Sequence, residues 1–78
     1  MDIPVFVNGT RVEVAVGATV LDAVRKWDAA AAQEFARGAR ALTDSRGLPL
    51  DPAATTAAGT IVRVIIAREG AADAEEAL

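Results

Sequence analysis

With 78 residues, a formal charge of −3 and no cysteine, the chain is long enough for one small domain and has neither disulfides nor thiolate metal ligands. Alanine makes up much of the 53% hydrophobic content, so we expect a small core and modest stability. The N-terminal MDIPVFVNG lacks the basic start of a signal peptide, and no apolar run approaches the roughly twenty residues of a membrane span. These features predict a soluble, cytoplasmic protein that does not associate with membranes.

The acidic groups are concentrated at the C-terminal end. Residues 69–78, EGAADAEEAL, carry four acidic groups and no basic one, whereas residues 1–68 hold eight basic against seven acidic groups. Because such a segment can bury little apolar surface, we expect a domain over 1–68 and a disordered acidic tail over 69–78. A nearly neutral domain also lacks the basic stripe that binds nucleic acid, so no nucleic-acid partner is expected.

The segment IPVFVNGTRVEV predicts a β-hairpin. Asn8-Gly9 suits a two-residue type I′ turn, because both residues tolerate a positive φ. The turn sets the register and sorts the alternating side chains onto two faces. The core face then carries Ile3, Val5, Val7, Val12 and Val14, and the opposite face carries Pro4, Phe6, Arg11 and Glu13.

A helical spacing begins after Gly17-Ala18. Thr19 and Asp22 have the spacing of a capping box, so the helix is expected to begin at Val20. Apolar residues then recur at spacings of four, three and four and predict one packing stripe: Val20, Val24, Trp27 and Ala31. We favour a break near Asp28, followed by a second helical piece over 29–36, over one continuous helix.

The C-terminal half predicts strands. Arg37-Gly38 ends the helical region, and ARALTD, residues 39–44, has the pattern of a short strand. Leu48-Pro49-Leu50 predicts a brief edge strand, where the missing proline donor is tolerated. TIVRVIIA, residues 60–67, predicts a central strand beside the first one, with Val62, Val64 and Ile66 facing inward.

This ββαββ order resembles the ubiquitin-like β-grasp superfamily over residues 3–67. The likeness is greatest to the small sulfur-carrier proteins of thiamine and molybdopterin synthesis, in the segments VNGTRVEV, VGATVLDAV and GTIVRVI. The resemblance implies an α+β, β-grasp fold in which a mixed sheet packs on one main helix. It implies a fold more than a function, because this fold hosts many activities.

Related families differ from this chain at their functional residues. A sulfur carrier ends in an exposed Gly-Gly whose carboxylate is activated, whereas the corresponding region here reads AREGAA, with Gly70 as the nearest equivalent. An active carrier would therefore need a processed C-terminus. The segment GATVLDA is also similar to the TGS domain, but the arginines are dispersed among acids. The hairpin and helix are similar to plant-type ferredoxins, whose four cluster-binding cysteines are absent.

No residue pattern predicts catalysis or a cofactor. The chain has no histidine and no cysteine, and its sole lysine, Lys26, lies on the exposed side of the predicted helix. Asp44 and Asp51 flank a turn without the spacing of a calcium loop, so we interpret them as turn-forming residues. Trp27 and Phe35 are interpreted as core residues. We expect no enzymatic activity, no metal and no cofactor.

The functional hypothesis rests on the outer face of the predicted sheet. An apolar patch with a charged rim is typical of a partner surface. The predicted partner-binding residues are Pro4, Phe6, Arg11, Ile61, Arg63 and Ile65, with Glu13 also at the rim. The sequence thus predicts a non-catalytic interaction module for a protein partner, with weak self-association as a further expectation. A sulfur carrier activated at a processed C-terminus is the alternative.

Overall fold

A computed structural model describes residues 1–67, and both the predicted tail and Gly70 lie outside the described residues. The described chain is a small α+β protein with a four-stranded mixed sheet and two helices. Its elements in chain order are β1 (Asp2–Val7), β2 (Thr10–Ala15), α1 (Val20–Trp27), α2 (Ala29–Ala36), β3 (Arg40–Thr43) and β4 (Thr60–Ile66).

The first and last strands lie side by side in the middle of the sheet. The strand order is β2-β1-β4-β3, with β1 parallel to β4 and both outer pairs antiparallel. The parallel register places Phe6 beside Ile61 and Val7 beside Val62. The predicted position of the final strand beside the first is therefore confirmed.

The β1–β2 hairpin has the predicted turn and register. Asn8 and Gly9 adopt positive φ values of 51° and 82°, as a type I′ turn requires. Val5 pairs with Val12 and Phe6 with Arg11, so the two faces carry the side chains assigned to them from the sequence. The cost of a side chain at position 9 would be conformational, because a Cβ placed there meets no atom within 4 Å.

The Asn8 side chain joins this turn to β4. Its Oδ1 accepts a hydrogen bond from the Val64 N–H at 2.9 Å, and its Nδ2 donates to the Val64 carbonyl at 3.3 Å. The Asn8 backbone N–H also donates to the Val62 carbonyl at 3.0 Å. Since β1 ends at Val7, the carboxamide continues the β1–β4 ladder in the place of a further peptide group.

The helical region is divided at Asp28, which confirms the break favoured from the sequence. The Asp28 backbone is extended, with φ −163° and ψ 106°, and its N–H donates to the Val24 carbonyl at the end of α1. Its carboxylate then accepts from the Ala30 N–H at 3.0 Å and caps α2. The resemblance implied one main helix, whereas the structure has two eight-residue helices that meet at this residue.

The N-terminus of α1 is closed by a capping box and by the long loop before β4. Thr19 and Asp22 exchange hydrogen bonds of 3.0 and 3.1 Å, as predicted. The N–H groups of Val20 and Leu21 donate to the carbonyls of Ala54 and Pro52. These bonds give partners to donors that a helix's first turn leaves without intrahelical acceptors, and they hold the loop against the helix.

The core lies between the inner sheet face and the helices. Its buried residues are Val5, Val7, Val14, Val20, Ala23, Val24, Ala31, Ala32, Leu42, Val62 and Val64. Trp27 and Phe35 are partly buried and pack against it, as expected. Ile66 does not join it and stays 51% exposed at the end of β4, which corrects its predicted inward position.

The predicted edge strand over Leu48-Pro49-Leu50 is also wrong. Pro49 forms only an isolated bridge with Thr43, and the Leu50 N–H donates to the Leu42 carbonyl. Proline has no N–H, so it cannot extend the ladder beyond this contact. The segment lies along the free side of β3 without becoming a regular strand.

Replacing Gly9 by valine should destabilise the protein through the backbone alone. Because a β-branched residue resists a φ of 82°, we expect the free energy of unfolding to fall by about 1–2 kcal/mol. Urea denaturation measures this change, and Gly9→Asn is the matched control, since asparagine tolerates the left-handed region. A loss for Gly9→Val within about 0.5 kcal/mol would mean that the turn is not type I′.

Replacing Asn8 by glycine keeps the permitted backbone conformation and removes both side-chain bonds to Val64. We expect a loss of about 1–3 kcal/mol, because the Val64 N–H is left without its partner. Hydrogen exchange of the Val64 amide should become faster in Asn8→Gly, whereas Asn8→Asp, which retains an acceptor oxygen, should protect it better. Equal exchange in wild type and Asn8→Gly would contradict the bridging role.

Candidate functional site

The candidate surface is the sheet face opposite the helices. Alternation along β1 and β4 buries Val5, Val7 and Val62 completely on the inner face. On the outer face Phe6 is partly exposed and Ile61 is 48% exposed. No helix packs on this side within residues 1–67, since α1 and α2 contribute their buried residues to the core on the other side.

Phe6 occupies the middle of a row across three strands. It lies opposite Arg11 of β2 and beside Ile61 of β4. Pro4 lies two residues earlier on the same face of β1, opposite Glu13. In the antiparallel β1–β2 pair, directly opposite residues such as Phe6 and Arg11 have Cβ atoms about 4.5–5.5 Å apart. The structure therefore brings together Pro4, Phe6, Arg11 and Ile61, four of the six predicted partner-binding residues.

Ile65 lies on the same face but at some distance from Phe6. Arg63 separates it from Ile61 along β4, and four residues of extended strand span about 13 Å. Ile65 is opposite Ala41 of β3, beyond the point where β1 ends, and is 43% exposed. The apolar centre thus consists of Pro4, Phe6 and Ile61, with Arg11 opposite Phe6. Arg63 lies between that centre and Ile65.

Of the charged residues around the apolar centre, Arg11 and Glu13 form an ion pair, and Arg63 pairs with none of the described acids. Arg11 Nε lies 2.7 Å from Glu13 Oε2, and the two side chains are 62% and 44% exposed, so water screens the ion pair and it contributes little to stability. Arg63 is exposed, and none of the ion pairs within residues 1–67 includes it. In the described part of the chain, Arg63 is therefore a positive charge beside Ile61 that no ion pair neutralises.

An open groove continues the surface beyond the hairpin turn. It encloses about 390 Å³ and is lined by Asn8, Gly9, Ser45, Ile61, Val62 and Arg63. Ser45 and the turn residues were not predicted to belong to the site. No local pattern indicates them, because they meet only through the pairing of β4 with both β1 and β3.

Asp44 and Asp51 form turns, as predicted. Asp44 Oδ1 accepts from the N–H groups of Arg46 at 2.8 Å and Leu48 at 3.0 Å, and Asp51 Oδ1 accepts from the Ala53 N–H at 2.9 Å. The bond from Leu48, followed by that from Arg46, lowers the pKa of Asp44 below its usual 3.8. Within residues 1–67 no group of three or more possible ligands could hold a metal ion.

Four of the seven basic side chains within residues 1–67 are paired with acids, namely Arg11, Arg25, Arg40 and Arg46. Besides Arg11, Arg25 pairs with Asp22 at 3.1 Å, and Arg40 pairs with Glu34 at 2.8 Å. Each of these three arginines therefore lies beside an acid that compensates its charge. Lys26 is exposed on α1, as predicted. None of the helices described is long and apolar enough to cross a membrane.

Acid should destabilise the protein partly through Asp44. A carboxyl whose pKa is lowered by folding contributes stability above its unfolded pKa and loses that contribution as the pH falls through its folded pKa. We therefore expect Asp44→Asn to show a shallower fall in melting temperature than wild type between about pH 5 and pH 2. Calorimetry across this range measures the difference.

Asp22 provides a second, parallel test of the same effect. Its pKa is also lowered, mainly by the Thr19 N–H and then by the Thr19 hydroxyl. Asp22→Asn should flatten the acid dependence to a similar degree, and the double variant should flatten it further. Parallel pH profiles for wild type and Asp44→Asn would show that the loop bonds do not lower the pKa of Asp44.

Comparison of the chain with protein-family models, curated proteins and solved structures found no match.

Proposed function

We propose that this chain is a ubiquitin-like interaction module with the β-grasp fold, which has no catalytic activity and binds a protein partner through the outer face of its sheet. The observation that carries the proposal is the row formed by Arg11, Phe6 and Ile61 across β2, β1 and β4. A partly exposed aromatic beside a half-exposed isoleucine is the kind of centre at which interfaces concentrate their binding energy.

The strand arrangement supports the β-grasp assignment. A hairpin precedes the helices, and the last strand lies parallel to the first at the centre of the order β2-β1-β4-β3. The segments VNGTRVEV, VGATVLDAV and GTIVRVI form the hairpin, the start of α1 and β4, which are the elements on which the resemblance to sulfur carriers rests. Fold and resemblance thus rest on the same residues.

The chemistry of the side chains supports binding over catalysis. With no histidine or cysteine, the chain lacks the commonest general base and the thiol nucleophile, and its one lysine is exposed. Asp22 and Asp44 have lowered pKa values and stay ionised near neutral pH, which suits capping and not general acid catalysis. The same carboxylates are already engaged by backbone N–H groups.

The surface favours a partner that presents an apolar side chain flanked by acidic groups. The apolar side chain would cover Phe6 and Ile61. An acidic group on the partner would meet Arg63, whose guanidinium has no ion pair among the described residues. Arg11 is already neutralised by Glu13, so Arg63 is the residue expected to set the orientation of the complex.

Truncating the apolar centre should weaken partner binding. We expect Phe6→Ala to cost at least about 2 kcal/mol, or roughly thirtyfold in affinity, because an interface aromatic loses both its contacts and its exclusion of water. Affinity capture with the wild-type protein would identify the partner, and titration calorimetry with the purified partner would measure the loss. Ile61→Ala should also weaken binding.

Ile66→Ala is the matched control. Ile66 is 51% exposed and Ile61 is 48% exposed, so both variants remove the same atoms from similarly exposed sites. Ile66→Ala should leave the affinity unchanged, and melting temperatures should exclude unfolding of any variant. Equal binding by wild type, Phe6→Ala and Ile61→Ala, with the contacts mapping to Arg25 and Lys26 on α1, would overturn the proposal.

The sulfur-carrier alternative depends on Gly70, which lies outside the described residues. A carrier would lose the residues after Gly70 and gain the mass of a terminal thiocarboxylate. Intact-mass measurement of the protein isolated from its native cells tests this outcome. A full-length mass would argue against the carrier and leave the interaction module as the proposal.

A further inference from the structure

The outer edge of β2 carries backbone groups that are not paired within the sheet. The Val16 N–H donates to the Met1 carbonyl, so these two residues form a hydrogen-bonded pair of the antiparallel ladder. Such pairs alternate with non-hydrogen-bonded ones, which include Pro4 opposite Glu13. Consistent with this, the Pro4 carbonyl points away from β2 and accepts a hydrogen bond from the Gly59 N–H, which precedes β4.

It follows that Arg11 and Glu13 direct their backbone N–H and C=O groups away from β1. Within residues 1–67, no hydrogen bond engages the backbone groups of either residue. The opposite edge of the sheet is covered, because the segment around Pro49 and Leu50 lies along β3. The described sheet therefore has one six-residue edge that is open to strand addition.

We propose that this edge pairs with β2 of a second copy of the chain, antiparallel and around a twofold axis at Val12. In this register Arg11 lies opposite Glu13 of the partner subunit, and Glu13 lies opposite Arg11 of the partner subunit. All four residues direct their backbone groups toward the seam, so the two pairs are hydrogen-bonded ones. The two sheets then form one continuous eight-stranded sheet.

Charge selects this register from its neighbours. A twofold axis at Arg11 would place two arginines opposite each other, and an axis at Glu13 would do the same with two glutamates. Like charges directly opposite are destabilising, whereas opposite charges stabilise a cross-strand pair. Only the axis at Val12 makes both charged pairs attractive, and it also places the half-buried Val12 against its own copy on the inner face.

The sequence of β2 lacks the usual features that block edge-to-edge strand pairing. Natural edges are often protected by lysine, proline or a bulge, and TRVEVA has none of these. Its two charged residues neutralise each other, because Arg11 Nε lies 2.7 Å from Glu13 Oε2. An open groove of about 360 Å³, lined in part by Val14, Ala15 and Lys26, lies beside the same edge, so α1 does not close it.

The test uses charge reversal in the full chain. Because the seam joins one six-residue strand from each subunit, we expect a weak dimer with a Kd of about 0.1–1 mM, measurable by sedimentation equilibrium at high protein concentration. Arg11→Glu places glutamates opposite glutamates, and Glu13→Arg places arginines opposite arginines. Each variant alone should dimerise at least about tenfold more weakly than wild type.

Mixing the two variants should restore association, because every opposing pair across the seam is then attractive. The double variant Arg11→Glu/Glu13→Arg should dimerise like wild type, and high salt should weaken the preference for the mixed dimer. Phe6→Ala should leave the dimer unchanged, which separates this seam from the partner face. A monomeric wild type, or variants that associate equally alone and mixed, would overturn the proposal.

Discussion

The parallel pairing of β1 with β4 is the contact on which the rest of the structure depends. It joins the N-terminal hairpin to a strand more than fifty residues later in the chain, and only three residue pairs form its regular ladder. The Asn8 side chain lengthens that ladder by binding both backbone groups of Val64. Asn8 therefore has two structural roles. Its backbone adopts the positive φ of the hairpin turn, and its side-chain amide pairs with the backbone of β4.

The inner core and the outer surface both follow from this pairing. On the inner face it places Val5 and Val7 beside Val62, and all three are fully buried. On the outer face it places Phe6 beside Ile61, which creates an apolar centre that neither the hairpin nor β4 has alone. Stability and the proposed binding surface therefore share one backbone register, and a slip of one residue would exchange the two faces.

The two proposed binding surfaces, the outer face and the edge of β2, use different parts of the sheet and share Arg11. The outer face presents side chains, with Phe6 at its centre and Arg63 beside it, so the proposed partner would be selected by its shape and charge. The edge of β2 offers backbone groups, with Arg11 and Glu13 setting the register. Because Arg11 lies at the boundary of both surfaces, occupation of one is expected to alter the charge presented by the other.

The residues alone determined the local structure. The Asn8-Gly9 turn, the pairing of Val5 with Val12, the start of α1 at Val20 and the break at Asp28 all follow from backbone preferences and capping within a few residues. The outward alternation of Pro4, Phe6, Ile61 and Ile65 is determined in the same way, because strand periodicity is local. Such features need no knowledge of what lies across the sheet.

Tertiary structure decided which of these residues meet. The Asn8 bridge to Val64, the loop carbonyls that meet the first turn of α1, and the separation of Ile65 from Phe6 depend on where β1 ends relative to β4. Ile66 is exposed and the segment around Pro49 makes only one bridge, although each has a strand-like pattern. The physical reason is that the register between distant strands depends on how the whole core packs. The sequence of one short segment does not contain that information.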